Sequence, residues 1–100
     1  MKTESDLKSL CFAYLDNMGY EYIHIPNRVF RKWKNTKLKS FPDFVIFLPG
    51  KKTIFIELKP FTKLSEGQID KIARLNKLDH PVFIIQDFEQ FKYKIEEAIC

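Results

Sequence analysis

Asp43, Glu57 and Lys59 are the residues best placed to do chemistry. They sit in or beside the two most apolar stretches of the chain, Asp43-Phe44-Val45-Ile46-Phe47-Leu48 and Thr53-Ile54-Phe55-Ile56-Glu57-Leu58-Lys59. Both stretches are rich in β-branched and aromatic residues, and Pro49-Gly50-Lys51-Lys52 between them has turn composition, so a β-hairpin is expected. A turn centred on Gly50 places Asp43 opposite Glu57 or one residue away. Like charges facing across a ladder repel, and unpaired charge among apolar strands is costly. Something positive must offset the pair. Glu57 and Lys59 are two apart on one strand and share a face, so Lys59 can neutralise part of the charge. Two carboxylates converging near one ammonium also make a hard-oxygen site suited to Mg²⁺. An ion held there can polarise a phosphoryl oxygen and lower the pKa of bound water, while Lys59 stabilises developing negative charge. An acid and a lysine two apart on a strand are by themselves commonly a surface ion pair. It is the combination with Pro42-Asp43 and a hairpin of the right length that points to chemistry.

The elements that must position these residues follow from periodicity. Leu7, Leu10, Cys11, Tyr14, Leu15 and Met18 recur in steps of three and four, which predicts a helix from about Ser5 to Met18 with that face buried. Thr3 or Ser5 can cap its start, and Gly19 follows its end. Tyr20 to Ile25 is a strand stopped by Pro26. The two hairpin strands are apolar on both faces, so helices should cover both sides of the sheet. Ser65 to about Leu78 is a helix with Ile69, Ile72, Ala73 and Leu75 inward; Pro81 to Gln86 is a short strand; Asp87 opens a last helix carrying Phe88, Phe91, Ile95 and Ile99. The unit from Thr53 to Gln86 should be a right-handed parallel crossover. The expected order is α-β-β-β-α-β-α, an α/β sandwich with a mixed four-stranded central sheet flanked by helices.

Composition bounds the reading. One hundred residues suffice for one domain, expected to span residues 1–100. With 45% hydrophobic and 30% charged residues, disordered, collagenous and coiled-coil classes are excluded. No apolar run reaches the ~20 residues a bilayer needs, and Met1-Lys2-Thr3-Glu4-Ser5-Asp6 lacks the apolar core of a signal peptide. Cys11 and Cys100 are expected to be free thiols, which suits a reducing cytoplasm. A net charge of +4 favours a polyanionic partner. Much of it lies in residues 27–40, where Arg28, Arg31, Lys32, Lys34, Lys37 and Lys39 interleave with Phe30 and Trp33 and no acid occurs. Such a segment can be only a solvated loop. It can equally neutralise phosphates while an aromatic packs on a sugar or an unstacked base, without reading sequence.

The stretch Phe41 to Gly50 followed by Ile54-Phe55-Ile56-Glu57-Leu58-Lys59 resembles the PD-(D/E)xK nucleases. It is most similar to their VRR-NUC domain, a small nuclease module found alone in phages and fused to larger repair enzymes. The resemblance covers nearly the whole chain, including the opening helix, the Lys63-Leu64-Ser65-Glu66-Gly67-Gln68 stretch and a closing strand at His80 to Ile85. It implies a restriction-endonuclease-like three-layer sandwich. It implies that Asp43 and Glu57 bind Mg²⁺ or Mn²⁺, with the backbone carbonyl of Leu58 as a further ligand and Lys59 assisting the nucleophilic water. Glu4 matches an additional acid near the metal, and Gln68 matches a polar residue turned towards the site. Both also have plainer explanations: Glu4 suits the first turn of a helix, and Ser65-x-x-Gln68 is a capping box. The family usually has a small residue close before Pro-Asp, where this chain has Phe41.

The expected activity is metal-dependent hydrolysis of DNA, selective for branched or junction substrates, by a homodimer in a bacterial or phage-infected cytoplasm. Trp33, or the helix carrying Phe88 and Phe91, could supply the dimer interface. Arg28, Arg31, Lys32, Trp33, Lys34, Lys37 and Lys39 would contact the nucleic acid. Two rivals remain: a nuclease-like module that binds nucleic acid without turnover, and a structural protein whose acids merely pair with Lys59. His24, His80, Tyr14 and Tyr20 are expected to be packing or structural residues.

Overall fold

The structure is a computed structural model that describes residues 3–25, 41–60 and 63–100. The elements run α1 (Glu4–Met18), β1 (Glu21–His24), β2 (Phe44–Leu48), β3 (Lys52–Leu58), α2 (Glu66–Lys77), β4 (Val82–Ile85) and α3 (Phe88–Ile99). This is the expected order, with ends moved by a residue or so. Thr3, not Ser5, caps α1: its side chain accepts from the Asp6 N–H, and Gly19 closes the helix in left-handed backbone. The basic segment 27–40 lies outside the described residues.

One mixed sheet carries the strands in the order β1-β2-β3-β4. β1 pairs antiparallel with β2, β2 antiparallel with β3, and β3 parallel with β4 across the α2 connection. The hairpin pairs Phe44 with Ile56 and Leu48 with Lys52, a register centred on Gly50. Gly50 and Lys51 both take positive φ, 81° and 61°, and the first is cheap only for glycine.

Strand alternation divides the core into two layers. Phe44, Ile46 and Leu48 of β2 with Ile54, Ile56 and Leu58 of β3 pack beneath α1 and α3, against Leu7, Cys11, Leu15, Phe91 and Ile95. On the opposite face Phe55 and Val82 pack against Ile72 of α2, joined by Phe41, Val45, Leu64 and Leu75. The Phe41 ring meets Phe55 edge-on at 5.8 Å, so the bulky residue before Pro42 belongs to this second layer.

Two-sided burial holds for β3 and only in part for β2, where Phe47 is 43% exposed. Among the described residues a single helix covers the second face and does not shield all of it. For the same reason Ile69 and Ala73, expected on the inner side of α2, are exposed, and Ile72 alone is fully buried there. Leu10 and Met18 of α1 are exposed as well, so its buried stripe is Leu7-Cys11-Leu15. In α3 Phe91 is completely buried, which removes it from any interface between copies. Cys11 is buried and Cys100 exposed, both free. Among the described residues no helix is long and apolar enough to cross a membrane.

Candidate active site at the hairpin

The register that pairs Phe44 with Ile56 brings the next residues, Asp43 and Glu57, opposite one another at the open end of the hairpin. Residues directly opposite share a face, here the α2 side. Both are buried, at 5% and 2% exposure. Asp43 is held from two directions. Its main-chain oxygen accepts from the Ile25 N–H at 3.0 Å, and its Oδ2 accepts from the Leu58 N–H at 2.8 Å. The side chain thus takes over the ladder position where β2 has ended. A residue's N–H and C=O face the same neighbour in an extended strand. The Leu58 carbonyl is therefore directed to the Asp43 side.

Glu57 forms a side-chain hydrogen bond with Asp43, and its Oε1 accepts from Gln68 Nε2 at 2.6 Å. Burial, then the hydrogen bond and charge of Asp43, push its carboxyl up to about 9; the half-buried Lys59 pulls it down and Glu4 adds to the rise. At neutral pH Glu57 keeps its proton in the free protein. A hard cation would replace that proton and satisfy both carboxylates, so the donor set fits a divalent ion bound through oxygen. Among the described residues no three His, Cys, Asp or Glu side chains cluster tightly enough to cage an ion. Further ligands would come from the backbone, solvent or substrate.

The other residues singled out from the sequence fall as follows. Glu4 lies in the first turn of α1, 4.0 Å from Lys8 Nζ, within electrostatic reach of Glu57 but not in a cluster with it. Gln68 completes the capping box with Ser65 and its Nε2 also reaches Glu57. His24 packs between Phe12 and Phe44, with Nε2 buried and without a hydrogen-bond partner among the described residues. Burial and the Lys8 charge lower its pKa against the opposing pull of Asp43. A neutral ring in an aromatic sandwich is a packing residue, as expected. His80 is exposed, with its ring 6.0 Å from Phe55. Tyr14 and Tyr20 are half-buried against the first core layer. Arg28, Arg31, Lys32, Trp33, Lys34, Lys37 and Lys39 are outside the described residues. The Leu58 N–H contact was not anticipated, although the register that pairs Asp43 with Glu57 also sets Asp43 beside Leu58.

Comparison with solved structures identifies the arrangement. A structure described as a VRR_NUC domain matches with a TM-score of 0.74 at 21% identity, over 93% of this chain and 94% of that one. Another, a VRR_NUC domain protein, matches with a TM-score of 0.80 at 16% identity, over 99% of this chain and 89% of that one. The fold is that of a VRR-NUC domain. No family model and no curated protein matches the chain in sequence. At these identities the likeness establishes the VRR-NUC fold alone, and the chemistry must be argued from the side chains.

Proposed function

We propose that the chain is a single-domain, divalent-metal-dependent deoxyribonuclease that hydrolyses phosphodiester bonds internally. The observation that carries this reading is the buried Asp43–Glu57 pair beside Lys59 at the open end of the hairpin. Such a pair is a standing cost in a merely structural protein, and a cation relieves it. Asp43 and Glu57, with the Leu58 carbonyl, would hold Mg²⁺ or Mn²⁺. When bound, that ion lowers the pKa of a coordinated water and offsets charge on a phosphoryl oxygen. Asp43 keeps its place through the Leu58 N–H. Glu57 gives up its proton on ligation and is steadied by Gln68. Lys59 brings its amine to the acids, where it would orient the attacking water and stabilise the charge that builds on the phosphate. Glu4 adds negative potential at the same point.

The substrate is DNA with branched or junction geometry. The basic segment supplies contacts to phosphates, which position a duplex without reading its sequence. Selectivity by such contacts comes from the shape of the DNA. A symmetric dimer would present two such sites to a two-fold substrate.

Labelled four-way junctions, flaps, duplex and single strands, incubated with Mg²⁺, Mn²⁺ or EDTA, test the proposal. Cleavage of branched DNA with either metal, none in EDTA, and none by Asp43→Ala or Glu57→Ala is expected. Activity surviving in those variants overturns the mechanism, and binding without cleavage by the intact chain makes it a recognition module.

A further inference from the structure

Gln68 uses both ends of one side chain. Its Oε1 accepts from the Ser65 N–H at 2.9 Å, its Nε2 donates to Glu57 Oε1 at 2.6 Å, and its own N–H donates to Ser65 Oγ at 3.2 Å. An amide turned end for end would set two donors against each other at Ser65 and two acceptors against each other at Glu57. The helix cap therefore selects which end of the amide faces the acids. Ser65 is itself exposed and lies eight residues along the chain from Glu57.

We propose that Ser65 is a positioning residue for Glu57. The capping box that starts α2 orients the Gln68 amide, and the amide holds Glu57 Oε1 where a cation can take it. The second half of this statement rests on Asp43 and Glu57 being ion ligands, as proposed above. The first half concerns the protein alone. A groups-in-series arrangement of this kind orients first ligands through their outer partners, whose loss commonly lowers metal affinity by about 10–100-fold. Coupling between two sites is reciprocal, so ion binding at Glu57 should also order the first turn of α2.

The full chain is studied in two arms. In EDTA, ¹⁵N relaxation of the Gln68 side-chain amide reports its order. It should be rigid in the native protein and mobile in Ser65→Ala, which keeps the backbone N–H but loses the Oγ that accepts from the Gln68 N–H and fixes the cap on which that N–H depends. It should be rigid again in Ser65→Asp, because aspartate is also a good N-cap. In the second arm Mn²⁺ is titrated by calorimetry. Gln68→Ala should weaken binding about tenfold, Ser65→Ala a smaller but clear amount, and Ser65→Asp should restore it. In a Gln68→Ala background, Ser65→Ala should cost nothing further. A helix cap with no positioning role would lower stability and leave the affinity unchanged. The proposal is overturned if the Gln68 amide stays rigid in Ser65→Ala, or if that substitution weakens Mn²⁺ binding equally in both backgrounds. If the native chain takes up no Mn²⁺, the ion-ligand reading fails, and the relaxation arm still decides whether Ser65 orients Gln68.

Discussion

Replacing Glu57 with glutamine probes the Glu57 proton directly. In the metal-free fold Glu57 holds its proton up to about pH 9, whereas its ordinary value is 4.5. Between those values the folded chain binds more protons than the unfolded one, so stability falls as pH rises through that interval. Keeping the proton on costs about 1.4 kcal/mol per pH unit above the ordinary value, which amounts to ~3 kcal/mol at pH 7. Glutamine has the same shape. It retains the oxygen that accepts from Gln68 and offers Asp43 a permanent N–H, so nothing need be protonated. Glu57→Gln should therefore match the native protein near pH 5 and exceed it by about 2–3 kcal/mol at pH 7. For a domain of this size each kcal/mol moves Tm by about 4–8 °C, so the gap should open to about 10 °C or more. Thermal melts by circular dichroism in EDTA at pH 5, 6, 7 and 8 measure it. A gap that does not change with pH, or a variant less stable throughout, refutes the retained Glu57 proton.

Other outcomes follow from the same geometry. Adding Mn²⁺ to EDTA-dialysed protein should raise Tm more at pH 8 than at pH 5.5, because ligation must displace the Glu57 proton; at one hundred times Kd the gain is about 2.7 kcal/mol. Equal shifts at the two pH values, or a shift retained by Asp43→Ala, would remove the carboxylates as ligands. Burial pushes the Cys11 thiol up to about 12 while Cys100 is exposed. An alkylating reagent at pH 8 should thus label one cysteine in the native chain and both in denaturant, as counted by intact mass. Rapid double labelling under native conditions would contradict the buried position of α1.

The order of elements and the meeting of Asp43 with Glu57 were legible in the sequence. The physical reason is that both depend on short-range rules. Helical and strand periods are local, Gly19 and Gly50 mark where the chain can take left-handed backbone, and a hairpin turn sets the pairing of every residue behind it. Ser65-x-x-Gln68 was legible as a cap for the same reason.

Tertiary structure decided what depends on which surfaces meet. Periodicity nominated Ile69, Ala73, Leu10 and Met18 for burial, but a residue is covered only if a neighbouring element lies over it. Among the described residues α2 is the one helix on its face of the sheet, while Leu10 and Met18 lie outside the α1 stripe that meets the core. The same holds for Phe47 on β2. Whether Glu57 is charged could not be read from its neighbours in the chain. Its proton affinity comes from burial and from Asp43, fourteen residues away, and these exist only once β3 is covered. Gln68 looked like either a cap or a residue turned towards Glu57. Folding α2 across β3 lets the cap residue also reach Glu57, since only the packed arrangement sets its Nε2 2.6 Å from that side chain.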